Sequence, residues 1–168
     1  FSLSFAFLVI AFLSPILSGI ADSRGNKKSF MKFFCFTGAT ACAALYFFNS
    51  VDTLWLGLSA FIIATIGFAG SIVFYNAFLP EIASVKNQDK VSAKGFALGY
   101  IGSSLLLIFN LVMIQKPDWF GITNAGTASR ISFVTVGVWW VGFASITFIG
   151  VPEVAKVYER KKQSLLAV

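Results

Sequence analysis

Two sets of residues in this chain could do chemistry. The first is the run Ser18-Gly19-Ile20-Ala21-Asp22-Ser23-Arg24-Gly25-Asn26-Lys27-Lys28, a basic turn led by one carboxylate between two long apolar segments. Asp22 can meet the positive end of a helix, and Gly25 permits a tight turn. Arg24, Lys27 and Lys28 can engage acidic partners or lipid headgroups. The second set is neutral: Tyr75, Asn76, Ser103 and Asn110 lie inside apolar runs. Each must find a hydrogen bond there, from a neighbouring helix or from a solute.

The elements that carry these residues are long and apolar. Of 168 residues, 57% are hydrophobic and 12% charged, against about 25% charged in a soluble domain. A bilayer core needs roughly 20 apolar residues as helix. Five runs qualify: Phe1 to Ala21, Phe30 to Ser50, Leu54 to Leu79, Gly95 to Ile114 and Ile131 to Val151. Strict alternation, the mark of a membrane barrel, is missing from them, so the predicted fold class is all-α transmembrane. Pro15 is expected to kink the first helix. The chain begins with Phe, already inside an apolar run, and reads as a piece of a longer protein.

Charge sets the orientation. Of 13 Lys and Arg, eleven (Arg24, Lys27, Lys28, Lys32, Lys86, Lys90, Lys94, Lys156, Arg160, Lys161, Lys162) fall on one side of a five-span topology, leaving Lys116 and Arg130 on the other. Such a bias places the first and third connectors and the tail from Pro152 in the cytoplasm. The net charge of +6 therefore reports topology and predicts no nucleic-acid partner. Trp55 and Trp119 fall near the outer interface, as an aromatic belt would. The tail Glu153 to Val168 reads either as a surface helix or as a solvated basic linker.

Several chemistries are disfavoured. The chain has no His and two Cys, Cys35 and Cys42. Two helical turns separate the cysteines, roughly 10.5 Å, beyond the ~7 Å that a disulfide allows, so both are expected as packing residues. No metal or cofactor is expected, and no nucleophile–base set suggests an enzyme. No Asp, Glu or His lies deep in a span, so these helices offer no mid-membrane proton carrier.

Small and polar residues form stripes at helical spacing. One is Gly95, Gly99, Ser103 and Asn110; another is Ala60, Ala64, Gly67, Ser71 and Tyr75, with Asn76 one step around. Gly95 and Gly99 point to helix packing, and Asn76 and Asn110 to a solute-lined cavity. The Phe-rich second run and the Trp139-Trp140 fifth run are expected to face lipid more than a cavity.

The loop between the first two spans resembles the cytoplasmic signature loop of major facilitator superfamily transporters, roughly Gly-x-Leu-Ala-Asp-Arg-x-Gly-Arg-Lys. Ile20, Ala21, Asp22, Gly25, Lys27 and Lys28 match in register, while Ser18, Ser23 and Asn26 depart from it and Arg24 offers a displaced charge. Phe74-Tyr75-Asn76-Ala77-Phe78-Leu79-Pro80-Glu81-Ile82 and Val91-Ser92-Ala93-Lys94-Gly95-Phe96-Ala97-Leu98-Gly99-Tyr100-Ile101-Gly102 are similar to the vacuole-effluxer-like branch, which includes autophagy-related vacuolar amino-acid exporters.

The resemblance implies helices two to six of a twelve-helix carrier. Residues 1–151 would be part of its N-terminal half, and 152–168 the start of a cytoplasmic linker. It implies a secondary transporter, moving a small solute such as an amino acid outward by alternating access. The partners implied are the bilayer, the solute, and the first helix and C-terminal half of the same protein. The implied location is a bacterial inner membrane, or a vacuolar membrane in a eukaryote. Asp22 would latch the cytoplasmic side, Leu54 to Leu79 would line the central cavity, and the flanking second and fifth helices would be Phe1 to Ala21 and Gly95 to Ile114. The alternative is a scaffold or receptor built on a carrier-like fold.

Overall fold

Apolar length makes the helices, and small residues decide how close they come. The computed structural model describes residues 1–24 and 26–151, except for the side chains of residues 20–24. Its elements are α1 (Ser2–Arg24), α2 (Lys27–Ala44), α3 (Leu54–Ala77), the one-turn α4 (Leu79–Ile82), α5 (Gln88–Gln115) and α6 (Ala125–Gly150). Five of the helical stretches are long and apolar enough to cross a membrane. The five-span expectation holds. The expected linker from residue 152 lies outside the described residues, as do Gly25 and the side chains of Asp22 and Arg24.

Helix limits differ from the apolar limits where polar residues cap or extend a helix. α5 starts at Gln88, seven residues before the expected Gly95, with Asp89 in its first turn; an acid there suits the positive end of the helix dipole. α6 starts at Ala125, because the Asn124 side chain accepts a hydrogen bond from the Thr127 amide at 2.8 Å. This is N-capping by an asparagine. Apolarity marks the portion of a helix that sits in lipid, whereas caps mark where the helix begins. Between α5 and α6, Gly121 takes the left-handed conformation (φ 68°) after the turn at Pro117–Phe120, which glycine adopts without a Cβ penalty. α1 continues as a helix on both sides of Pro15.

α2 lies between α3 and α6, and α1 packs on α3. The Phe-rich second run was expected to face lipid; α2 is instead the most enclosed span, burying Met31, Phe34, Cys35, Gly38, Ala39 and Ala41. Its other face, with Phe33 and Phe36, stays exposed. The cause is the Gly38–Ala44 patch. Missing side chains at Gly38 and Gly67 let the α2 and α3 backbones meet, such that a Cβ on Gly67 would collide with the Gly38 Cα. On the α6 side, a Cβ on Gly137 would lie 2.9 Å from the Ala39 carbonyl oxygen. Close approach of this kind drives helix association in lipid, where apolar burial gives no advantage. Aromatic rings fill the remaining space. Phe74 stacks on Phe30 and Phe34 with centroids 5.4 and 5.8 Å apart, in a cluster with Ile10, Met31, Cys35, Phe78 and Phe148.

Contacts at the two ends of the bundle agree with the charge-derived sidedness. Lys27 and Lys28, at the start of α2, reach Glu81 in α4 and the end of α6, so the first and third connectors and the exit from α6 share one end. At the other end the Arg130 guanidinium lies 5.3 Å from the centre of the Tyr46 ring. Trp55 and Trp119 are both strongly exposed.

Candidate functional site

Four neutral polar residues were expected to contact a solute, and they occupy three different environments. Asn110 is buried, and its Oδ1 accepts a hydrogen bond from the Thr135 hydroxyl of α6 at 2.8 Å. The amide oxygen is therefore occupied within the α5–α6 contact, which satisfies that acceptor in an apolar setting. Ser103 is exposed on α5, and its hydroxyl donates to the Tyr100 carbonyl 3.0 Å away. Serines and threonines in helices use this back-bond to satisfy themselves, and Ser71, Ser132 and Ser145 do the same.

Tyr75 and Asn76 form the third environment. They sit in the last turn of α3, at the end of the bundle that carries Lys27 and Lys28, and both are exposed. The stripe leading to them, Ala60, Gly67 and Ser71, is buried against neighbouring helices. Packing thus uses the outer and middle parts of that stripe and leaves its hydrogen-bonding end open. The Tyr75 hydroxyl lies 2.8 Å from where a Cβ on Gly95 would stand. The glycine therefore makes room for the hydroxyl against α5, and the structure brings these two expected residues together. Gly99, expected alongside Gly95 as a packing residue, is exposed, and a methyl added to it would meet nothing within 4 Å.

The glycines most tightly packed between α2, α3 and α6 are Gly38, Gly67 and Gly70, with Gly137 against the Ala39 carbonyl. Only Gly67 stood in an expected stripe. Gly70 was legible in principle, three residues from Gly67 and therefore on a neighbouring part of the same helix face. Gly38 and Gly137 lay in runs whose aromatic content pointed to lipid.

One end of the bundle is held by the basic end of the signature-like loop. Lys27 Nζ pairs with Glu81 Oε1 at 2.9 Å, with both side chains partly shielded. Lys28 Nζ donates to the Val151 carbonyl at 2.8 Å. Both lysines were expected to meet acidic partners or headgroups, and here both have partners within this bundle. Thr53 and Ser50 close the opposite end of α2–α3 with a reciprocal capping box. Replacing Lys27 and Glu81 by glutamine, singly and together, is expected to give a coupling energy of about 0.2–1 kcal/mol, because the pair is partly solvated. Denaturation midpoints of the purified full-length protein measure it, and additive single effects would remove the pair from the account.

Cys35 and Cys42 are both free. Cys35 is buried in the α2 core, and the Cys42 thiol lies 3.7 Å from the Phe133 carbonyl oxygen of α6. Among the described residues, no group of three His, Cys, Asp or Glu side chains is placed to hold a metal ion.

Comparison with known proteins bears on this arrangement. The family model described as "Vacuole effluxer Atg22 like" matches residues 1–168. An uncharacterized MFS-type transporter, YxiO, of Bacillus subtilis is 35% identical over 161 residues, covering 95% of this chain and 36% of that protein. Autophagy-related protein 22-2 of Aspergillus niger is 21% identical over 206 aligned residues, covering 88% of this chain and 34% of the relative. The chain thus spans about a third of the length of these relatives. No solved structure matches it.

Proposed function

Because the chain belongs to the vacuole effluxer Atg22-like family and forms a multi-pass integral membrane protein, we propose that it supplies five spanning helices of a secondary transporter. The cargo is a small, neutral or zwitterionic solute such as an amino acid, moved outward by alternating access of two halves around a shared site. The efflux direction and the amino-acid class rest on the family description and on the resemblance of the Phe74–Ile82 and Val91–Gly102 segments.

One observation carries the reading. Tyr75 and Asn76 are the exposed hydrogen-bonding end of a face on which Ala60, Gly67 and Ser71 are buried. An exposed hydroxyl and amide side by side can offer hydrogen bonds to a small solute. In this proposal both face the solute route at its cytoplasmic end. Gly95 holds open the space in which the Tyr75 hydroxyl sits. Asn110 serves the α5–α6 contact instead. Asp22 latches the cytoplasmic side against the other half of the protein, as the signature loop implies, while Lys27 and Lys28 brace their own half.

The test is uptake of labelled neutral amino acids by the full-length protein in liposomes. Losing one hydrogen bond to a solute costs about 0.5–1.5 kcal/mol, roughly two- to tenfold in affinity. Tyr75→Phe and Asn76→Ala are each expected to raise the half-saturation concentration by that factor. Asn110→Ala is expected to lower stability and leave the half-saturation concentration alone. Absence of uptake for any small solute would favour a scaffold, and unchanged affinity in both variants would move the site elsewhere.

A further inference from the structure

The first turns of α2 present three side chains to the last turn of α6. Lys28, Lys32 and Phe36 follow one another at intervals of four, so they form one line along the α2 surface. Lys28 Nζ donates to the Val151 carbonyl at 2.8 Å. The Lys32 ammonium lies 5.8 Å from the centre of the Phe148 ring, and the Phe36 ring lies 5.9 Å from the same ring, tilted by 41°. Phe148 is buried although it lies in the final turn of α6.

These contacts meet a specific need of a helix end. α6 stops at Gly150, and Val151 is extended (φ −86°, ψ 124°), with its amide making the last helical hydrogen bond to Thr147 at 2.9 Å. The carbonyls of the final turn have no partner within the helix, and they carry the negative end of its dipole. α6 has no basic residue in its own last turn. A cation reaches this end from α2 instead: Lys28 bonds the carbonyl of Val151, the residue directly after the helix, and the second lysine lies over an aromatic face that attracts it. Val151 also packs on the core cluster around Phe74 and Met31.

We infer that Lys28, Lys32 and Phe36 form a clamp that fixes the end of α6 against the start of α2. Lys28 and Lys32 are then positioning residues as well as determinants of membrane orientation. The clamp couples the start of α2, directly after the signature-like loop, to the end of α6 at Phe148 and Val151. This inference does not depend on the solute or on transport.

The experiment uses spin labels on Ser29→Cys and Ile149→Cys, both exposed positions, in cysteine-free full-length protein in liposomes. The parent is expected to give one narrow distance. Lys28→Met with Lys32→Met is expected to lose that single distance and give a broad distribution, while Lys28→Arg retains it because the donor and charge remain. Lys86→Met removes one positive charge from the same cytoplasmic side without touching α6, and should leave the distance narrow. A narrow distribution in the double variant overturns the clamp, as does equal broadening in Lys86→Met, which would trace the effect to charge alone. If the double variant fails to accumulate, Lys28→Met alone is read by the same criteria.

Discussion

Gly67→Ala is expected to destabilise the bundle by about 1–3 kcal/mol or more, as overpacking of a close contact does. The new methyl would collide with the Gly38 Cα, and it would lie 2.7 Å from the Gly38 amide nitrogen and 2.8 Å from the Phe34 carbonyl oxygen. All three are backbone atoms, so no rotamer change relieves the clash; α2 and α3 must separate. Gly70→Ala meets only the Phe34 ring, at 2.5 Å, and a side chain can swing aside at a smaller cost. Gly99→Ala meets nothing within 4 Å and exchanges a poor helix former for the best, a gain of up to about 1 kcal/mol. The ranking Gly67 worse than Gly70, with Gly99 neutral or better, is measured by denaturation of the full-length protein in detergent. Equal stability of all three variants would mean that α2 and α3 do not pack as described.

Phe74→Ala is expected to cost about 3–5 kcal/mol, the usual range for emptying a buried aromatic site. Phe74 is 1% exposed and stacks on two rings, Phe30 and Phe34. Its loss opens a void that neither helix can close, because both are held at Gly38 and Gly67. Phe74→Leu keeps much of the volume and should cost less, losing chiefly the aromatic pairing of about 0.5–1.5 kcal/mol per pair. Phe74 immediately precedes Tyr75, so Phe74→Ala should also loosen the α3 terminus and weaken solute affinity, whereas Phe74→Leu should preserve it. A Phe74→Ala variant as stable as the parent would show that the cluster is not the core of this bundle.

Much of the architecture was legible in the chain. The five runs between Phe1 and Val151 became spanning helices, because helix is the structure that satisfies backbone groups in lipid. The lysines at 27, 28 and 86 marked one end of the bundle, and the contacts of Lys27 and Lys28 bring the expected cytoplasmic ends together. Helix starts at Gln88 and Ala125 were less legible, since α5 extends into polar residues and α6 begins at a cap made by a few atoms of Asn124 rather than at any run of apolar residues. The candidate site divided in a similar way. The stripe ending in Tyr75 and Asn76 could be read from its spacing, but the fact that burial stops short of those two residues could not.

Sequence alone determined that this is an all-helical membrane protein, which of its connectors carry the basic charge, and that a signature-like loop joins its first two spans. Those properties depend on local quantities: apolar length, the position of charge, and residues adjacent in the chain. Tertiary structure alone decided which small faces touch and which polar groups are already occupied. Gly38 meets Gly67 and Trp140, Asn110 meets Thr135, and Lys28 meets Val151. Each pair joins residues far apart in the chain. In lipid, where most surfaces are equally apolar, partners are chosen by backbone approach and hydrogen-bond geometry, and neither is visible until the helices are packed.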